Sequence, residues 1–124
     1  MNVSVEWLSE YLGAELSAER LVETLNRLGL MVEGQRDVEG DTVLEVETYS
    51  NRPDTLGHLG MARELAAALG LRLRPRAWSL AELPVATKDV VDVQVWDEDL
   101  CPRYCGLVVR DVEVGPSPDW LRRR

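Results

Sequence analysis

Phenylalanine is missing from this sequence altogether, histidine occurs once and cysteine twice. Each scarcity closes off a class of function. His58 has no second imidazole with which to share a metal or a proton relay, and no serine or cysteine stands in a recognisable nucleophile context. Its plain role is that of a surface or helix-packing imidazole. Cys101 and Cys105, both within the stretch CPRYC, are too few and too close for the disulfide framework of a secreted domain. They are expected as reduced, half-buried small apolar groups. Their C-x₃-C spacing, with a proline inside, lacks the paired geometry of a structural zinc site, and adding His58 still leaves a fourth ligand unaccounted for. No Walker-type or G-x-G-x-x-G loop is present, so no residue is assigned to a cofactor or a nucleotide. No apolar run approaches the roughly 20 residues of a membrane span, and MNVSVEWLSE lacks the basic and apolar regions of an export signal. A cytoplasmic chain with no membrane partner is expected.

What is present fits one ordinary domain, or a small domain and part of a second: 124 residues, 45% of them apolar. The 14 Lys and Arg against 22 Asp and Glu give 14 − 22 = −8, an average field that repels nucleic acid. The charge is uneven, however. Acids dominate from Glu33 to Glu47, whereas Arg72, Arg74 and Arg76 cluster in LRLRPR and Arg122, Arg123 and Arg124 stand together. A local basic contact is one reading of these clusters, and solvated charges are the plainer one. Glu45 and Glu47, two apart on one strand face, read as a wet surface rather than a carboxylate pair for catalysis or metal binding. Trp7, Trp96 and Trp120 fall where packing anchors are expected, which is a better use for them than base stacking.

Periodicity organises the chain. Ser4 can cap a short helix carrying Trp7, Leu8, Tyr11 and Leu12 on one face, with Gly13 as its stop. Ser17 caps a second helix whose stripe is Leu21, Val22, Leu25 and Leu28, and Gly29 supplies a left-handed end. LMVEGQ and TVLEVET are β-prone and flank a tight connection at Glu39-Gly40. In the second segment Leu44, Val46 and Thr48 face one way and Glu45 and Glu47 the other.

The stretch NRPD follows. Pro53 biases Arg52 away from helix, and Asp54 is placed to cap the next one. That helix would bear Leu56, Leu59, Arg63, Leu65, Ala66 and Leu69 and close at Gly70. Gly57 and Gly60 are costly inside it, about 1 kcal/mol each against alanine, so they imply close backbone packing or an irregular first turn. Residues 74–89 read as a linker. Beyond it, DVVDVQVWD and GLVVRDVEV alternate as strands, the second broken near Asp111, with a turn at EDLCPRY between them. A helix then starts with Ser117 as N-cap and Pro118 in its first position.

Taken in order, VSVEWLSEYL, LVETLNRLGLMVEG, VLEVETYSNRPDTLGHLGMARELAAALG and DEDLCPRYCGLVVRDVEVGPSPDWLRRR resemble the N-terminal part of the bacterial phenylalanyl-tRNA synthetase beta subunit. The most specific pieces are NRPD with the following LG-AREL-A-LG, and LCPRY with the following V-VGPSP-WL-RR. The resemblance implies an α+β fold. Residues 1–73 would form a small, helix-rich structural domain with a β-hairpin, and residues 90–124 the opening strands and first helix of a second, incomplete α/β domain of the editing module. It implies a heterotetramer in which the alpha subunit carries the synthetic site and joins phenylalanine to tRNA(Phe) with ATP and magnesium. Family members usually carry an inserted OB-fold tRNA-binding domain where Gln35 to Thr42 bridges directly here. The implied partners are the alpha subunit, the remainder of the beta subunit and, through the complex, tRNA(Phe). No catalytic residue carries over, so the isolated chain is expected to be a structural piece; a stand-alone tRNA- or protein-binding module is the alternative. Asn51, Arg52, Arg72, Arg74 and Arg76 are the candidate contacts to a subunit or to tRNA. The alternating segments after residue 90 would leave strand edges unpaired, so self-association or a mobile final third is expected.

Overall fold

A computed structural model describes all 124 residues. They divide into two units, Met1–Trp78 and Ser79–Arg124.

The first unit places three helices on one face of a three-stranded antiparallel sheet of order β1-β3-β2. Strand β1 is Asn2–Ser4, a short element that the sequence reading did not anticipate. Three residues cannot display an alternation, and β1 exists because Asn2, Val3 and Ser4 pair with Glu45, Leu44 and Val43. Helix α1, Val5–Leu12, starts where the Ser4 hydroxyl accepts the Trp7 amide and stops at Gly13 in the left-handed region (φ 60°). Helix α2, Ala18–Arg27, is capped by Ser17 through the Arg20 amide. Gly29 (φ 78°) turns the chain back toward the sheet.

Strands β2, Val32–Val38, and β3, Asp41–Val46, form the hairpin expected from the sequence. Val38 opposes Asp41, which leaves Glu39 and Gly40 as a two-residue turn with positive φ at both (53° and 90°). Such a turn matches the twist of the strands it joins, and the Asp37 carboxylate accepts the Gly40 amide. Val3, Leu44 and Val46 point inward to meet Leu8, Leu12, Leu21, Leu25, Met61 and Leu65, while Asn2 and Glu45 lie on the wet side. Each large apolar side chain buried in this way contributes about 1.5–3 kcal/mol. The buried Thr24 hydroxyl donates to the Arg20 carbonyl at 2.8 Å, and no buried side-chain nitrogen or oxygen lacks a hydrogen-bond partner.

Helix α3, His58–Leu69, buries Met61, Ala62, Leu65 and Ala66. The expected stripe is therefore corrected at its start: Leu56 lies before the helix and is 60% exposed, and Leu59 is also exposed. The helix begins two residues later than Leu56, so its phase carries the i, i+1, i+4, i+5 positions from Met61 inward.

The second unit contains a 3₁₀ turn at Thr87–Asp89 and helix α4, Asp119–Arg122. No strand forms at DVVDVQVWD or GLVVRDVEV, contrary to the sequence reading. Alternation supplies a strand's side-chain pattern, but only a neighbouring segment supplies its hydrogen bonds, and neither stretch takes one up here. Asp111 is left-handed (φ 55°), but with no strand formed on either side there is no ladder for it to break. Trp96 is 93% exposed and Trp120 more than half exposed, so neither is the anchor expected of it. Cys101 is half-buried but Cys105 is exposed, and both are free thiols. Pro118 rather than Ser117 precedes the last helix, its carbonyl accepting the Leu121 and Arg122 amides.

Candidate functional site

The NRPD stretch is held by its own residues. After β3 the Arg52 amide donates to the Tyr49 carbonyl at 2.9 Å, and Pro53–Thr55 closes a 3₁₀ turn. Thr55 is fully buried, and its hydroxyl donates to the Arg52 carbonyl at 2.8 Å. The Arg52 guanidinium grips the Asp54 carboxylate through two nitrogens, at 3.1 and 2.8 Å, and reaches Glu64 of α3 at 3.1 Å. Hydrogen bonding to Asp54 and Glu64 raises the Arg52 pKa further, and Arg52 in turn holds the Asp54 carboxyl below its ordinary value. Asp54, expected to cap the helix after NRPD, is instead engaged by Arg52, and Gly57 takes the cap position of α3. Asn51 beside it is exposed.

Gly60 explains itself in this geometry. A Cβ added there would lie 1.7 Å from the Asp54 carbonyl oxygen, so the turn sits directly on the first turn of α3. Gly57 has open space around it and serves as the extended residue leading into the helix. One glycine marks close packing and the other an irregular start.

The start of α3 is tied to the opposite end of the chain. The Ser4 amide donates to Nε2 of His58 at 3.0 Å, and the imidazole stacks on the Trp7 ring with centroids 4.1 Å apart. The Ser4 hydroxyl donates to Asp41, whose other oxygen accepts the Glu6 amide at 3.0 Å. Serine, histidine and aspartate therefore converge, but connected in the wrong order for nucleophilic catalysis. A triad needs the hydroxyl on the imidazole and the carboxylate behind it. Here the Nε2 lone pair is used by a backbone amide, and the hydroxyl caps a helix. The cluster fastens β1, α1, β3 and α3 together.

The remaining candidates lie beyond the other end of α3, a helix about 18 Å long by its pitch. Gly70 (φ 65°) ends the helix, and the Arg74 amide donates to the Tyr11 carbonyl at 2.7 Å. Leu71 and Leu73 pack against the core, whereas Arg72, Arg74 and Arg76 are exposed. The Arg74 side chain crosses Gly13, and the Arg76 guanidinium stands 4.9 Å from the ring of Trp78. The structure therefore separates Asn51 and Arg52 from the three later arginines instead of gathering them into one site. Glu45 faces water; Glu47 accepts the Tyr49 hydroxyl at 3.2 Å, which pushes the tyrosine pKa up. No three His, Cys, Asp or Glu residues are grouped to hold a metal ion. The Arg52–Glu64 pair and the Ser4–His58 bond escaped sequence reasoning, because nothing in a single sequence pairs residues 12 or 54 positions apart.

No protein-family model matches the chain. It is similar to the phenylalanine--tRNA ligase beta subunit of Rhodopirellula baltica, 43% identical over 122 residues, covering 98% of the chain and 18% of that protein. The beta subunit of Solibacter usitatus is 43% identical over 118 residues, 90% of the chain and 15% of that protein. That of Porphyromonas gingivalis is 46% identical over 91 residues, 70% and 11%. The chain thus spans less than a fifth of the length of these relatives. Among solved structures, an N-terminal fragment of the phenylalanyl-tRNA synthetase beta subunit from Pyrococcus horikoshii shares the fold. Its TM-score is 0.52 at 24% identity, over 56% of this chain and 20% of that one.

Proposed function

The chain is homologous to the N-terminal region of the phenylalanine--tRNA ligase beta subunit, and from that premise we propose that it gives structural support to a ligase complex charging tRNA(Phe) with phenylalanine. The observation that carries this reading is the match to the Rhodopirellula baltica subunit along 98% of the chain. Its 122 aligned residues leave no room for an inserted domain between Gln35 and Thr42, where the present chain closes a two-residue turn. In this reading the partners are the alpha subunit and the remainder of the beta subunit, the site of action is the cytoplasm, and ATP and magnesium are handled by the alpha subunit. The first unit then acts as a rigid block: Arg52, Asp54 and Glu64 on one side, and Ser4, Asp41 and His58 on the other, bond to one another or to the backbone and hold the unit's own elements together, while Asn51 stays exposed. No helix is long and apolar enough to cross a membrane, which is compatible with a cytoplasmic complex.

Co-expression tests the proposal. The tagged chain is produced with the alpha subunit and the remaining beta subunit of the same organism, and phenylalanylation of tRNA(Phe) is measured. Co-purification of all three, with charging that falls when the chain is omitted, is the expected result. Assembly and charging that proceed equally well without it would overturn the proposal.

A further inference from the structure

We propose that Arg72, Arg74, Arg76 and Trp78 form a binding ridge for single-stranded RNA, the guanidiniums meeting successive phosphates and the indole taking a base. This goes beyond the assembly role, since the chain itself would touch RNA.

The ridge begins in sequence. Between Glu64 and Glu82 the chain carries no acid and three arginines, within a protein whose net charge is −8. A polyanion approaching the first unit is repelled over most of the surface and attracted here, so the rest of the field steers it to this place. The arginines recur every second residue, a step of about 6.6 Å along an extended chain, comparable to the spacing of neighbouring phosphates on one strand. Leu71 and Leu73 turn inward while Arg72 and Arg74 remain exposed, as extended backbone requires.

Three further features make the ridge a site rather than a run of charge. Its backbone is anchored in advance by the Arg74 amide on the Tyr11 carbonyl, so less ordering cost falls on binding. No carboxylate pairs with any of the three guanidiniums, in contrast to Arg52. At the next two-residue step stands Trp78, 69% exposed, with Arg76 beside its ring. An indole left in water beside a cation at this repeat suits base stacking next to a phosphate contact. An acidic protein surface would use the arginines but gain little from the indole.

The test is a fluorescence-anisotropy titration of a labelled oligouridylate with the chain. Three phosphate contacts on a single strand give a log–log salt slope near −2, so raising salt from ~50 to ~200 mM weakens binding about 20-fold. Arg72→Ala combined with Arg76→Ala leaves the Arg74 anchor in place and cuts that slope to about a third. Trp78→Ala weakens binding at least about fivefold. Arg27→Ala with Arg36→Ala, an equal charge change at exposed positions elsewhere in the unit, leaves affinity within about twofold of the parent.

Absence of binding at the lower salt, or equal loss in both double variants, would overturn the ridge. Binding of a polyglutamate peptide as tight as that of RNA, and indifferent to Trp78→Ala, would assign the arginines to an acidic protein partner instead. The assembly experiment reads co-purification and charging, so either proposal can fail without the other.

Discussion

Replacing Gly60 with alanine sets two effects of opposite sign against each other. On helix propensity alone the change stabilises α3 by about 1 kcal/mol. In this structure the new methyl would lie 1.7 Å from the Asp54 carbonyl oxygen and 2.9 Å from its carbon. Ordinary contact lies near ~3.5 Å, so the turn Pro53–Thr55 must move by about the difference. Both colliding groups belong to the backbone, which has no rotamer to escape into. A shift of that size also stretches the Arg52–Glu64 contact from 3.1 Å and unseats the buried Thr55. Overpacking at the upper end of its usual range costs about 3 kcal/mol, and disturbing the Thr55 hydrogen bond about 1 more. Less the propensity gain, the net loss is about 3 kcal/mol. For a unit of this size that lowers Tm by about 12–24 °C, followed by far-UV circular dichroism. Gly57→Ala is the control: it has open space and an extended φ of −161°, and it should change stability by less than about 1 kcal/mol. If Gly60→Ala matches the control, or raises Tm, the close approach of the turn to the helix is refuted.

Gly13→Ala places a side chain in the left-handed region and against Arg74; it should destabilise the first unit by about 1–2 kcal/mol, the arginine swinging aside, as read by urea denaturation. Leu44→Ala empties a fully buried position between sheet and helices and should cost about 2–5 kcal/mol on the same measurement. Arg52→Ala removes the cation that depresses the Asp54 pKa. A depressed carboxylate stabilises above its unfolded pKa, near ~3.9, and loses that contribution as pH falls through the lower folded value. The gap in urea midpoint between parent and variant should therefore shrink on acidification from neutral pH, and a gap that widens would count against the pairing. The exposed apolar positions of the second unit, Val91, Val93, Leu107 and Val109 among them, should drive concentration-dependent association in sedimentation velocity. A single sedimentation coefficient across a wide concentration range would exclude it.

Local rules settled much of this protein without any structure. Ser4 and Ser17 as caps, Gly13, Gly29 and Gly70 as left-handed stops, the Glu39-Gly40 turn and the inward face of Leu44 and Val46 all follow from interactions within a few residues or from a period of two. The α+β fold and the family likeness were legible for the same reason, since order and motif are properties of the chain. Tertiary structure decided whatever depended on a distant partner. β1 is a strand only because β3 lies beside it and takes up its hydrogen bonds, whereas the better-patterned Val91–Val95 stretch makes no backbone ladder with any segment and forms none. Asp54 looked like a cap and became the counter-ion of Arg52; His58 looked idle and accepts an amide from Ser4. Asn51, Arg52 and the three later arginines looked alike as candidate contacts. Folding pairs Arg52 with Glu64 and leaves the row from Arg72 to Arg76 facing water, because pairing is set by which groups the core brings within reach, not by the residue type written in the sequence.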